Sequence, residues 1–324
     1  DETIFDHSLN TAFALSINQS RYLNVLTRKR IIETLKRMEK ENITNIDEET
    51  GTEIAMREGV EIIIVPTISK VGTQYILTSK IVDVKTANIF KSEVLYVQEE
   101  DEIIEKLDKL SKKIRRSLGE SINMISDQSK PLYKVNTSSL QALKQYSLGI
   151  ESHLLLDFET AKNHYKNAIV LDSNFTAAKA SLGNLLFEKF DRNEGRKWLD
   201  EAIISVDNLT DREKFAILAF YAVNVENDLD KGIEYTKRRV ALYPDDPAAH
   251  HNLGWYFQNQ GHYDMALDEY KRTLHIDPYI ILTNSGIIRI YMENYGQIDS
   301  ALVWSNRMID CSPDNPWGCF YPVS

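Results

Sequence analysis

Cysteine is scarce: Cys311 and Cys319 are the only two in 324 residues. A pair near one end cannot build a disulfide framework, and it does not identify a redox compartment. No stretch approaches the roughly 18 uninterrupted apolar residues of a membrane-spanning helix. The opening DETIFDHSLN also lacks the basic and apolar blocks of a signal peptide. Basic residues are in deficit, 38 against 48 acids for a net charge of −10. The balance is −3 up to Pro131 (22 acids, 19 bases) and −7 beyond it (26 and 19). Neither part carries the footprint of a nucleic-acid binder.

Catalytic signatures are missing as well. There is no Walker-type phosphate loop, GxGxxG, GxSxG or HExxH. Gly51, Gly59 and Gly72 stand alone and read as turn residues. His250 and His251 are adjacent, so they point in different directions on a helix, and neither has a cysteine or acid at ligand spacing. No acid pair, and no nucleophile with a base, can be named. The expectation is a chain without catalytic residues, cofactor or metal. Five sequons, at Asn18, Asn42, Asn136, Asn174 and Asn208, matter only in a secreted eukaryotic protein.

What is present is a ruler of small residues. Ala161, Gly195, Gly232, Ala266 and Ala301 stand 34, 37, 34 and 35 residues apart. A period near 34 residues marks a helical-pair repeat, in which each unit buries its apolar face only against its neighbours. Small residues are needed where the two helices of a unit cross, and proline ends the second helix. Enlarging Ala266 would overpack such a crossing at a cost of about 1–3 kcal/mol. Ser138-Ser139-Leu140-Gln141 offers a capping box at the start, serine followed three residues later by glutamine.

Before the ruler the period changes repeatedly. Phe5, Leu9, Phe13 and Ile17 share a helical face. Tyr22–Leu26 is a short strand candidate. Arg28–Lys40, with Ile31, Ile32, Leu35 and Met38 on one side, reads as an amphipathic helix. A shorter helix over Glu49–Glu58 ends at Gly59. The IIIV run in Glu61–Ile68 suits a strand buried on both faces. Tyr75–Val84 and Ile89–Val97 follow through tight turns, a meander. Glu99–Leu118 closes the segment as a helix with Ile103, Ile104, Leu107, Leu110 and Ile114 inward.

The predicted fold class is therefore a two-domain chain, α+β then all-α. A small α/β domain with helices on one mixed sheet (1–126) precedes a linker (127–138) and an α-α superhelix of about five repeats (139–324), with a partial sixth from Pro316-Trp317.

These blocks carry two resemblances. The order NVLT, RKRIIETLKRM, EIAMREGVEIIIVPTISKVGTQYILTSKIVDVKT resembles the domain related to the TolB amino-terminal domain. The junction RRSLGESI…NTSSLQALKQYSLG is similar to that of bacterial serine/threonine kinases of the same architecture. Members usually open with an apolar strand before the first helix. This chain starts without one, which leaves a truncated domain or a strand supplied from elsewhere, and predicts an exposed sheet edge.

The second half resembles tetratricopeptide repeats. The fourth unit fits best, with Leu253, Gly254, Phe257, Ala266, Tyr270 and Pro278 in pattern. The first has Leu148, Gly149, Ala161, Tyr165 and Ala168; the second Leu182, Gly183, Gly195, Leu199 and Ala202. The third is degenerate (Ala219, Phe220, Gly232, Thr236, Pro244). The fifth (Ile287, Tyr291, Ala301, Met308, Pro313) carries one extra residue near Tyr295-Gly296. Three extra residues around Asn208–Arg212 lengthen a loop.

Together the resemblances imply a non-catalytic sensor or interaction region of a bacterial signalling protein. Its membrane tether and output domain would lie outside this chain, with the region on the extracytoplasmic side. The alternative is an adaptor scaffolding a cell-envelope complex. The implied partner is a protein or peptide, with no nucleic acid and no membrane insertion.

The repeat resemblance also places the first helix of each unit along a concave groove. That gives Tyr146, Ile150 and His153; Asn184, Phe187 and Glu188; Lys214, Tyr221 and Asn224; His251, Trp255, Gln258 and Asn259; then Arg289, Met292 and Glu293. Rings interleaved with amides suit an extended peptide. They serve packing equally well, and the two-lysine carboxylate clamp of some members is not matched.

Overall fold

A computed structural model describes residues 3–40, 46–132 and 137–311. Two compact units are resolved, residues 1–210 and 211–324. The first combines the predicted α/β segment with two helical pairs, so packing density divides the chain after the second pair.

In the first unit, α1 (Thr3–Ile17), α2 (Arg28–Arg37) and α3 (Glu48–Arg57) precede β1 (Ile62–Val71), β2 (Gln74–Asp83) and β3 (Ile89–Val97). Then come α4 (Ile103–Ser117) and α5 (Ile122–Gln128). The sheet order is β1-β2-β3 with both pairings antiparallel. The expected mixed sheet is thus an antiparallel meander among the described residues. Gly72 takes the positive φ (63°) of the two-residue turn joining β1 to β2.

Position in the sheet decides burial. Central β2 buries Tyr75, Leu77, Ser79 and Ile81 on one face, against the layer formed by α1 and α4. Ile103, Ile104, Leu107, Leu110 and Ile114 fill that layer as the periodicity predicted. The IIIV run lies in β1 at a sheet edge and is not buried on both faces; most of its side chains stay half-exposed. Four apolar residues in a row say that both faces of a strand are apolar, not that both are covered. Tyr22–Leu26 forms no strand: Tyr22 is exposed in a loop. In α2 the buried residues are Arg30, Thr34 and Leu35, not the isoleucine stripe. Glu58 accepts at 2.5 Å from the buried Arg30 and Thr34 and from the exposed Arg37. Gly51 falls inside α3 rather than in a turn, whereas Gly59 (φ 67°) follows the helix as expected.

The helical pairs follow. The first unit holds α6 (Leu140–Leu154) with α7 (Phe158–Leu171), and α8 (Thr176–Lys189) with α9 (Arg192–Ile204). The second holds α10 (Asp211–Asn224) with α11 (Leu229–Leu242), and α12 (Pro247–Asn259) with α13 (Tyr263–Ile276). It also holds α14 (Ile281–Arg289) followed by α15 (Ile298–Cys311). Asp157, Asp191 and Asp228 each cap the second helix of a pair with a side-chain oxygen. They stand four residues before Ala161, Gly195 and Gly232, so punctuation and ruler share one spacing. The N-cap of α6 is Ser139, accepting from the Ala142 amide. That displaces the predicted Ser138…Gln141 capping box by one residue. The partial sixth unit from Pro316 lies outside the described residues, as do Pro313 and Cys319.

Two insertions resolve differently from expectation. The additional residues near 208 are partly taken up by a 3₁₀ turn, Val206–Asn208. The extra residue of the fifth pair is absorbed inside the helix, as a π-helical turn at Ile290–Asn294, not in the turn at Tyr295-Gly296. A single π turn is the way a helix takes in one residue without ending.

Helix α1 packs beside α6 as well as α4. Thr11 bonds Ser147, and Arg28 pairs with Glu151 at 3.0 Å. The first helical pair therefore has its outer flank covered by the preceding segment. Repeat arrays need such a terminal cap, because an end unit has one neighbour too few.

Candidate binding groove

The predicted groove residues fall in both units. In residues 1–210, Tyr146 is buried, its ring 4.8 Å from that of Phe175 and 5.9 Å from that of Tyr165. It is a packing residue. His153 is half-buried with its ring 5.7 Å from that of Phe158 and Nδ1 3.4 Å from the Tyr165 hydroxyl. Burial pushes its pKa down, so the ring is neutral at pH 7. Asn184 is half-buried with a carbonyl oxygen that finds no partner, and Glu188 is exposed.

In residues 211–311, Lys214 and Tyr221 are half-buried on α10, and Asn224 is exposed at its end. Asn224 Nδ2 donates to the Phe220 carbonyl at 3.0 Å. Asn259 repeats that arrangement on α12, donating to the Trp255 carbonyl at 2.7 Å. Both residues are exposed at the ends of their helices.

A recess of about 270 Å³ lies between α12, α13 and α14; a larger one, about 410 Å³, lies between α11, α12 and α13 and holds none of the predicted groove residues. It is lined by His251, Asn252, Trp255, Tyr270, Leu282 and Arg289. Three of these, His251, Trp255 and Arg289, were predicted from repeat position and are brought together here. Tyr270 forms part of the lining because glycine lies on either side of its ring. A Cβ at Gly254 would come within 2.6 Å of Tyr270 Cδ1, and one at Gly286 within 2.8 Å of Cε2. Its hydroxyl donates to Gln258 Oε1 at 2.8 Å, and burial raises its pKa well above the phenol range, so it stays a neutral donor.

Around this floor the walls are open. Trp255 is 41% exposed, its ring 5.4 Å edge-on from Tyr256. Leu282 is 70% exposed. Arg289 is exposed and, among the described residues, pairs with no carboxylate. Leu282 and Asn252 were missed in the sequence. Asn252 adjoins the predicted His251 on α12, and Leu282 lies in the first turn of α14, ahead of the first fifth-pair position that the repeat pattern singled out.

The two histidines do diverge. His251 faces the recess, its Nδ1 2.8 Å from Thr283 Oγ1. His250 is buried on the other side, with Nδ1 2.5 Å from Glu269 Oε2 and Nε2 2.8 Å from the Pro244 carbonyl. Two acceptors on two ring nitrogens require the doubly protonated ring. The Glu269 hydrogen bond raises the pKa, opposed by desolvation and by Arg272. A raised folded-state pKa stabilises the fold below the unfolded value, near 6.5, and that contribution is lost as pH rises through the folded value. Stability measured by urea denaturation is therefore expected to decline from about pH 6.5 upward. His250→Gln should flatten that slope. An unchanged slope in the variant would show that His250 is not the titrating group.

Residues 247–280, α12 with α13, match the family model Tetratricopeptide repeat. No curated protein matches the chain. Among solved structures the chain is similar to YrrB, a TPR protein with an unusual peptide-binding site. Identity there is 22%, covering 55% of this chain and 90% of that one, at a TM-score of 0.37. It is similar to a thermophilic TPR protein of Thermus thermophilus at 16% identity, 55% and 95% coverage, and a TM-score of 0.44. A third is PilW, a type IV pilus biogenesis factor, at 17% identity, 54% and 79% coverage, and a TM-score of 0.45. At such scores these likenesses add nothing to what the helical pairs and the family match establish.

Proposed function

We propose that this chain is a non-catalytic interaction region that holds a protein or peptide partner through the groove side of its helical pairs. The observation that carries the reading is the recess at His251, Trp255 and Arg289. It joins an exposed indole, an exposed leucine and a cation with no carboxylate partner among the described residues over a buried tyrosine floor. An exposed tryptophan beside a concavity is the residue type that dominates binding energy at interfaces. On the order of its sequence blocks, the finer reading is a sensor region of a bacterial signalling protein. Residues 1–126 would form its TolB amino-terminal-like domain and 139–324 its repeats.

The test is a displayed peptide library selected on the full chain, with affinities measured by fluorescence anisotropy. Trp255→Ala is expected to weaken the selected peptides by about 2 kcal/mol, roughly 30-fold. Peptides whose affinity Trp255→Ala leaves unchanged would reject this groove as the binding surface.

A further inference from the structure

The recess also shows what chemistry its occupant must have. Arg289 is the cation of the site, and its charge reaches the floor, where it opposes the rise in the Tyr270 pKa. In a chain with ten more acids than bases, it stands exposed without a carboxylate partner among the described residues. Contrast Arg239, whose guanidinium meets Asp246 at 2.8 Å in the same unit. The Trp255 indole N–H, a donor only, makes no hydrogen bond among the described residues either. His251 Nδ1 is already engaged with Thr283, and the Tyr270 hydroxyl with Gln258. Of the remaining lining groups, Arg289 and the Trp255 indole can only donate, Arg289 carries the charge, Asn252 can both donate and accept, and the adjoining wall is Leu282. An anionic acceptor beside an apolar group matches this set; a basic or purely apolar ligand leaves Arg289 without a partner.

Resting on the interaction reading above, we propose that the recess recognises a peptide segment in which an aspartate or glutamate pairs with Arg289 while a neighbouring apolar side chain packs against Trp255 and Leu282. The carboxylate is a side chain's rather than a chain terminus. One guanidinium can bind a single carboxylate bidentately, and the lining holds neither the two lysines of a carboxylate clamp nor a second cation. The exposed Asn259 amide, one turn on from Trp255, offers hydrogen bonds to a chain that continues past the recess.

The experiment uses two random octapeptide libraries, one amidated and one with a free terminal carboxylate, selected on the full chain and on three variants. Wild-type protein is expected to enrich sequences with Asp or Glu one to three positions from Leu, Phe or Trp, equally from both libraries. Arg289→Gln should weaken those peptides about tenfold, the loss of one charge-assisted pair, and added salt should reduce that difference. Arg289→Glu should shift enrichment to Lys or Arg. The residue is exposed, so unchanged thermal melting serves as the folding control. Enrichment without acidic residues, or the same acidic preference in Arg289→Glu, overturns the proposal while leaving the groove intact if Trp255→Ala still abolishes capture. Enrichment confined to free-acid peptides overturns it in favour of a chain terminus. Peptides indifferent to both Arg289 and Trp255 overturn the groove reading itself, and a selection that enriches nothing overturns both.

Discussion

Gly195→Ala is expected to destabilise the unit of residues 1–210 by about 2 kcal/mol, although alanine is the better helix former. The contest between two effects can be settled by magnitude. Alanine in place of glycine inside α9 gains about 1 kcal/mol of helix propensity. Against it, the new Cβ would sit 2.4 Å from the Phe187 amide nitrogen, 2.7 Å from its Cα and 2.8 Å from the Gly183 carbonyl. All three are backbone atoms of α8, so relief requires the helices to separate. Overpacking typically costs about 1–3 kcal/mol, and contacts this short with backbone atoms belong at the top of that range. The crossing is tight in both directions, since a Cβ at Gly183 would meet the Leu199 amide nitrogen at 2.9 Å. For a unit of this size, melting should fall by about 4–8 °C. Gly232→Ala is the control. Its Cβ meets a side-chain methyl, Val223 Cγ2, at 2.3 Å, and the next neighbour is 3.5 Å away. A rotamer change relieves that contact, so the propensity gain offsets most of the cost. Calorimetry showing equal melting shifts for the two variants would reject the backbone argument.

That comparison shows how far the sequence could be read. The ruler located Gly195 and Gly232 at equivalent marks, and the helical pairs appear where it placed them. It could not show that one glycine touches backbone and the other a movable valine. The facing backbone carbonyl is 2.8 Å away at Gly183 in the first case and 3.5 Å away at Ala219 in the second, so the difference lies in how closely the axes approach. The same limit governs the groove. Repeat position brought His251, Trp255 and Arg289 to one recess. It also chose Tyr146, which is buried. Both Tyr146 and Trp255 are aromatic residues on first helices, and only the neighbouring pair determines which is covered. Tyr146 has Phe175 against it, while the indole of Trp255 has Leu282 and Arg289 beside an open recess. The sheet was misjudged for a related reason: apolar runs report what a strand can bury, and edge position decides what it does.

The stretch RRSLGES contributed only a resemblance, yet it holds the pair whose loss should cost most. Arg115 and Glu120 have wholly buried side chains joined twice, Nε to Oε2 at 2.7 Å and Nη2 to Oε1 at 2.6 Å. Arg115 Nη1 donates to Ser129 Oγ at 2.7 Å, and Ser20 Oγ donates to Glu120 Oε2 at 2.8 Å. Ser20 in turn accepts from the amides of Tyr22 and Leu23, so the pair ties the end of α4 to the loop after α1. Glu120→Ala would leave a buried guanidinium without compensation, at a cost of about 3–5 kcal/mol. That is a large fraction of the roughly 5–15 kcal/mol of net stability typical of a domain. Because α1 also flanks α6, the loss should loosen the first helical pair along with the sheet, visible as faster amide exchange in α6. Removing both charges is different: Arg115→Met with Glu120→Leu leaves no charge to desolvate and should recover most of the stability. Urea denaturation across this double-mutant cycle separates the two explanations. If the double variant is as unstable as Glu120→Ala, the pair's hydrogen bonds to Ser20 and Ser129 hold the fold, rather than the mutual compensation of two buried charges.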